Sequence, residues 1–125
     1  MLNHVSIGVR DLAAAKGLYD AALTPLGYTC LSQSGTTLGY GADAEAFLVY
    51  AAEHPVPADS KTGLHFCFDA PTRKSVDAFH AAALEHGGKD NGKPGIREDY
   101  GANYYAAFVI DPDGYRLEAY CGKAE

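Results

Sequence analysis

The chain has no tryptophan, one methionine, three cysteines and few bulky aliphatic residues. Its longest unbroken apolar stretches, 46–52 and 104–110, are seven residues each. A membrane-spanning helix needs about 20, so that class is excluded. The cysteines (Cys30, Cys67, Cys121) are odd in number and lack metal-site spacing, which argues against a disulfide framework and for a reducing compartment. The opening MLNHVSIGVRD shows no charged-then-apolar leader pattern, and a cytoplasmic location is expected. Positive charge is scarce as well: 10 Lys+Arg stand against 16 Asp+Glu, a net charge of −6. Nothing in that balance attracts nucleic acid or an anionic membrane surface, and a small molecule is the expected partner.

What is present is alanine and tyrosine. The 21 Ala and 9 Tyr make up roughly half of the apolar residues. A length of 125 residues supports one domain, 1–125, able to bury a core without disulfide or metal staples. With so few heavy aliphatics, the tyrosines line either the core or a cavity.

The chain opens on strict alternation, Val5, Ile7 and Val9 against His4, Ser6 and Gly8, the period of a half-buried strand. Asp11 then offers an N-cap to a helix whose stripe is Leu12, Ala15, Tyr19, Ala22 and Leu26, stopped by Pro25 and Gly27. Three short strands are predicted over 28–32, 37–41 and 45–51, followed by a linker at 54–62 (HPVPADSKT). The pattern then restarts. Residues 63–70 (GLHFCFDA) alternate Leu64, Phe66 and Phe68 against His65, Cys67 and Asp69. Thr72 caps a second helix with the stripe Val76, Phe79, Ala83 and Leu84, closed by Gly87-Gly88. After a polar stretch, 89–103, come strands at 104–110 and 115–121, joined by the turn Asp111-Pro112-Asp113-Gly114.

The restart is a repeat. His4 and His65 are 61 residues apart, as are Ala22 and Ala83, Leu23 and Leu84, and Gly27 and Gly88. Matching Tyr50 to Tyr120 takes 70, so nine extra residues fall within the polar stretch 89–103. Each half reads as strand, helix, then three strands: module one at about 1–53 and module two at about 63–121.

The faces opposite the apolar rows carry His4 and Ser6, then His65 and Cys67, then Arg116, Glu118 and Tyr120. Two imidazoles and one carboxylate on such faces form a facial triad that leaves coordination positions open for substrate or water. A lone strand histidine is ordinarily a surface or hydrogen-bonded residue; matched placement on equivalent strands of a repeat is what singles these out. His54 in the linker and His80 and His86 on the second helix have ordinary roles, His86 by its place near a helix C-terminus. Cys67, on the face of His65, is expected to be an inert buried thiol. No strand-to-helix glycine loop for phosphate is present.

The segment LNHVSIGVRDLAAAKGLYDAALTPLGY resembles the opening of the vicinal oxygen chelate superfamily, which includes glyoxalase I, fosfomycin-resistance enzymes, bleomycin-resistance proteins and extradiol dioxygenases. GLHFCFDA resembles its middle strand and FVIDPDGYRLEAY its last hairpin, so the resemblance covers essentially the whole chain. It implies an α+β fold of tandem βαβββ modules whose curved mixed sheets enclose a cavity. It also implies a divalent metal (Mn²⁺, Fe²⁺, Zn²⁺ or Ni²⁺) held by His4, His65 and Glu118, with Glu118 either a pure ligand or partly detached as a base. One departure matters: Leu48 stands where glyoxalase I-like members carry a fourth-strand carboxylate.

The segment GIREDYGANYYAAF resembles short members of the superfamily with unassigned activity. Tyr100, Tyr104, Tyr105 and Tyr120 are the expected pocket walls, and Arg97 or Arg116 the expected clamp for an anionic group. The resemblance further implies a homodimer and a metal-dependent enzyme (lyase, isomerase, transferase or dioxygenase type) acting on a small oxygen-bearing substrate. The alternative is a metal-free protein of the bleomycin-resistance type that sequesters a small molecule.

Overall fold

The computed structural model describes residues 1–124; Glu125, the last residue of the expected 1–125 domain, lies outside them. Module one comprises β1 (Val5–Val9), α1 (Leu12–Leu23), β2 (Thr29–Gln33), β3 (Thr37–Gly41) and β4 (Glu45–Ala51). Module two comprises β5 (His65–Asp69), α2 (Arg73–Glu85), β6 (Lys89–Ile96), β7 (Tyr105–Ile110) and β8 (Arg116–Cys121). Each module folds into a four-stranded mixed sheet, ordered β1-β4-β3-β2 and β5-β8-β7-β6. The first strand pairs in parallel with the fourth and the others are antiparallel. The sheets do not close into a barrel: β1 and β5 are edge strands, each paired on one side only. The α+β tandem βαβββ architecture expected from the sequence is the observed one. No described helix is long and apolar enough to cross a membrane.

Local chemistry sets the helix ends. Asp11 accepts the Ala14 N–H at 3.0 Å and caps α1, whose buried stripe is Ala15, Leu18, Tyr19, Ala22 and Leu23. Pro25 opens one turn of 3-10 helix, and Gly27 ends it at φ 92°, a left-handed conformation that suits glycine. At α2 the cap is reciprocal: Ser75 N–H bonds Thr72 Oγ1 at 3.0 Å while Thr72 N–H bonds Ser75 Oγ at 3.1 Å. The α2 stripe contains His80, not the expected Leu84, which is 40% exposed. Positions 76, 79, 80 and 83 share one face at 3.6 residues per turn, and 84 turns past it.

The polar stretch 89–103 hides a strand. Lys89–Ile96 (KDNGKPGI) has no apolar alternation and contains Pro94, which an edge strand tolerates because its N–H side can face water. Its register shifts between Asp90 and Gly92 and again before Gly95. Asp90 holds the first shift by accepting both the Gly92 N–H (3.0 Å) and a proton shared with His80 Nε2 (2.9 Å).

One core serves both modules. Phe47 on β4 meets Tyr19 on α1 and also Phe66 and Phe68 on β5, with centroids 5.1, 6.0 and 5.2 Å apart. A buried polar knot stands beside it. Asp111 accepts the Tyr19 hydroxyl (2.6 Å) and the backbone N–H groups of Asp113 and Tyr115 (2.9 Å each), while Tyr115 donates its hydroxyl to Gly8 O at 2.7 Å. The turn of module two is thereby fastened to the first strand and helix of module one. Gly114 completes that turn at φ 93°, where an added Cβ would lie 2.3 Å from Ala58 O.

Burial raises the Asp111 pKa, and the Tyr19 hydrogen bond lowers it in part. Tyr19→Phe removes that bond from a buried carboxylate and is expected to cost about 1–3 kcal/mol of stability. The variant's folded-state pKa lies above that of the wild type. Its extra deficit is therefore complete above both values and is lost as pH falls through them. Urea unfolding near neutral pH and in mild acid checks both the size and the direction.

Candidate functional site

The apolar rows of both sheets turn inward to the helices and shared core, so the polar rows turn outward. On the second sheet the outward row places Glu118, on inner strand β8, beside Cys67 of β5 and Phe108 of β7. His65 is two residues before Cys67 and therefore on the same face. Its Nε2 lies 2.9 Å from Glu118 Oε1, and Tyr104 donates its hydroxyl to Glu118 Oε2 at 2.6 Å. The Glu118 side chain is only 3% exposed, against 42% for His65. A carboxylate so deeply placed needs both partners, because an unpaired buried charge is strongly disfavoured.

Tyr104 is held by its own surroundings. Its ring stacks on Tyr120 at 4.2 Å and meets the edge of Tyr100 at 5.2 Å. Its backbone closes the 97–104 loop, through Arg97 N–H to Tyr104 O (2.8 Å) and Tyr104 N–H to Gly101 O (3.2 Å). Desolvation, with the hydrogen bond and charge of Glu118 added, pushes the phenol pKa upward, so the hydroxyl remains a donor.

The other expected residues fall as follows. Tyr120 is half-buried beneath Tyr104, and Tyr100 is 67% exposed at the rim. Arg97 spans the Phe108 ring at 5.3 Å and donates to Gly95 O (2.9 Å) and Lys93 O (2.6 Å), bracing the loop. Arg116 is half-buried on β8, in register with His65. His4 is exposed one residue before β1, with Nδ1 2.8 Å from Asn3 Oδ1. The fold thus gathers His65, Glu118, Tyr104 and Tyr120 and leaves His4 outside. Among the described residues no group of three or more His, Cys, Asp or Glu side chains is placed to hold a metal.

Strand register gives the two modules a direct comparison. Leu48 lies beside Ser6 and Gly39, as Glu118 lies beside Cys67 and Phe108. Module one therefore offers a half-buried Leu48 at the carboxylate position. The pair in module two suits a divalent ion as far as two donors go. Imidazole nitrogen and carboxylate oxygen suit several first-row metals. Their 2.9 Å separation is close to the roughly 3 Å between neighbouring ligand atoms bonded at about 2.1 Å.

A cleft of about 590 Å³ runs along the free edge of β5. His65, Cys67 and Asp69 line one side, and Phe47, Tyr28 and Leu2 are among its apolar walls. Cys67 is exposed there, not buried as expected. Its environment nonetheless keeps it a thiol: desolvation first, then the Glu118 charge and hydrogen bond, push its pKa up to about 12. The sequence signalled Tyr104 only as a pocket wall, because its bond to Glu118 depends on where a 14-residue excursion returns.

The thiol is expected to react slowly with iodoacetamide near neutral pH despite its exposure. Glu118→Gln removes the charge that helps to hold the proton and should accelerate alkylation at Cys67 severalfold. Peptide mapping by mass spectrometry measures the rate.

Among solved structures, a glyoxalase/bleomycin resistance protein from Albidiferax ferrireducens T118 shares 31% identity with this chain, with a TM-score of 0.82 over 96% of this chain and 97% of its own. A glyoxalase/bleomycin resistance protein/dioxygenase family enzyme from Burkholderia phytofirmans PsJN has the same fold at 17% identity (TM-score 0.72, 97% and 98% covered). So has the fosfomycin resistance protein FosX from Mesorhizobium loti at 15% (TM-score 0.70, 98% and 92%). No curated protein matches the chain in sequence. The family model that matches spans residues 1–119, through all but the last two residues of β8, and so takes in His4, His65 and Glu118. With its paired βαβββ modules and that match, the chain belongs to the glyoxalase/bleomycin resistance protein/dioxygenase superfamily.

Proposed function

We propose that the protein is a metal-dependent enzyme acting on a small oxygen-bearing substrate, with a divalent ion held by His65 and Glu118 of one chain and His4 of a second copy. The observation that carries this is the pairing of His65 Nε2 with a single oxygen of Glu118, whose other oxygen is engaged by Tyr104. The third donor is exposed beside a free strand edge, where a second chain can reach it. A bound divalent metal supplies Lewis-acid stabilisation of negative charge on substrate oxygens, worth several kcal/mol.

The chain's own residues do the rest. His65 must present Nε2 without its proton, so loading releases a proton wherever that nitrogen carries one. With Oε2 bonded to Tyr104, Oε1 is the oxygen of Glu118 that would hold the ion, and it would serve as a base toward a substrate proton only by detaching from it. The aromatic walls of the adjoining cleft exclude water from the substrate's apolar part, and Arg97 braces the loop that carries Tyr104.

Protein purified without chelator should carry stoichiometric metal by elemental analysis. His65→Ala and Glu118→Gln should lose it; no metal in the wild type, and none bound on titration, overturns the proposal. A shared site makes a sharper prediction. After unfolding and refolding together, equal amounts of His4→Ala and Glu118→Gln chains should regain about a quarter of the wild-type sites, because each mixed dimer contains one intact combination. A site built within one chain would regain none.

The cleft also favours a second reading, a metal-free protein that sequesters an apolar compound. There, the double variant His4→Ala/His65→Ala would bind that compound as tightly as the wild type, by calorimetry, with no metal in either.

A further inference from the structure

Tyr104 reaches Glu118 from a loop that has no equivalent in module one. In register, Phe108 lies beside Glu118 and Gly39 beside Leu48. Four residues earlier stand Tyr104 in module two and Gly35 in module one. The carboxylate and the phenol are thus present together in one module and missing together in the other. The loop is also built to deliver that hydroxyl: Arg97 ties it to the backbone at both Lys93 and Gly95, and Tyr120 stacks beneath the ring.

We propose that Tyr104 is a positioning residue that makes Glu118 a one-oxygen ligand. The inference rests on the metal-dependent reading above. Its hydroxyl occupies Oε2 at 2.6 Å and leaves Oε1 facing His65 Nε2. A carboxylate free to rotate would offer both oxygens to one ion and use a coordination position that a substrate oxygen needs. The hydrogen bond fixes the carboxylate plane and restricts it to one. Tyr104 touches neither metal nor reacting atoms in this role, and Tyr120 acts on it only by packing. The pairing also gives the nine-residue expansion of module two a purpose, since the expansion ends where the phenol is needed.

The test is titration of the metal-free protein with Co²⁺, followed by visible absorption, for the wild type and Tyr104→Phe, which removes one oxygen and keeps the ring stack. Partners that orient a metal ligand are typically worth about 10–100-fold in affinity. Tyr104→Phe should therefore weaken Co²⁺ binding by about tenfold or more, and shift the absorption bands as Glu118 turns to offer both oxygens. Loss of the bond to buried Glu118 should also lower the unfolding temperature of the metal-free protein somewhat, as for Tyr19→Phe, so the band shift, which a purely structural role would not produce, is the deciding readout. Equal affinity with an unchanged spectrum overturns the positioning role and leaves the metal-dependent reading standing. A loss of affinity with unchanged absorption bands also overturns it, because Tyr104 then acts through stability and not through the way Glu118 is presented. Failure of the wild type to bind Co²⁺ overturns both.

Discussion

The buried apolar residues of the two four-stranded sheets and both helices form a single cluster, and the structure depends on this shared core. Phe47 of the first sheet lies against Phe66 and Phe68 of the second, and Tyr19 of α1 reaches both Phe47 and Asp111. Twenty-one alanines suit this arrangement, because small side chains such as Ala15, Ala22 and Ala83 let helices approach closely. Once the apolar rows are committed inward, the polar rows have only the outer faces left. His65 and Glu118 owe their placement to packing on the far side of their own strands, and His4 stands just before β1.

That placement has a cost at Glu118. An outward-facing residue of an inner strand would ordinarily be hydrated, yet β5, β7 and the 97–104 loop crowd this one to 3% exposure. Tyr104, His65 and the Cys67 thiol compensate, and the first two are not equivalent. Tyr104 is itself wedged between two aromatic neighbours, whereas the His65 ring is nearly half exposed. The rigid partner fixes one oxygen, and the accessible one leaves the other oxygen open to a change of partner. On the metal-dependent reading, the pair seen in the isolated chain is the resting form of half a coordination site.

The sequence made the framework legible because its signals are local. Alternation marked β1 and β5, Asp11 and Thr72 marked the helix starts, and two strands, 37–41 and 45–51, lie where periodicity placed them. The polar strand β6 was visible only through the repeat, since an edge strand can forgo apolar alternation and carry Pro94. Leu84 and Cys67 were misplaced for one reason: burial at a helix end or an open edge depends on what packs beside it, which spacing does not encode. The likeness of His4 to His65 was legible as a repeat, but their separation across two outward faces was not. That separation follows from how the modules share a core.

Divergence between the modules bears on what the site can do. Each keeps its first-strand imidazole, but Glu118, Cys67 and Phe108 of the second face Leu48, Ser6 and Gly39 at the matching positions of the first. Two carboxylates and two imidazoles would leave an ion with six positions only two free. One carboxylate leaves three, enough for a substrate binding through two oxygens with a position to spare. On the first sheet's outer face Leu48 and Tyr50 stand in one row, with the Glu45 carboxylate close over Gly39. Under the shared-site reading, that face would lie over the His65–Glu118 pair of the other chain. Module one would then contribute a single imidazole, while module two would contribute the other imidazole and the carboxylate of Glu118. On that reading the asymmetry within one chain would be a division of labour between two.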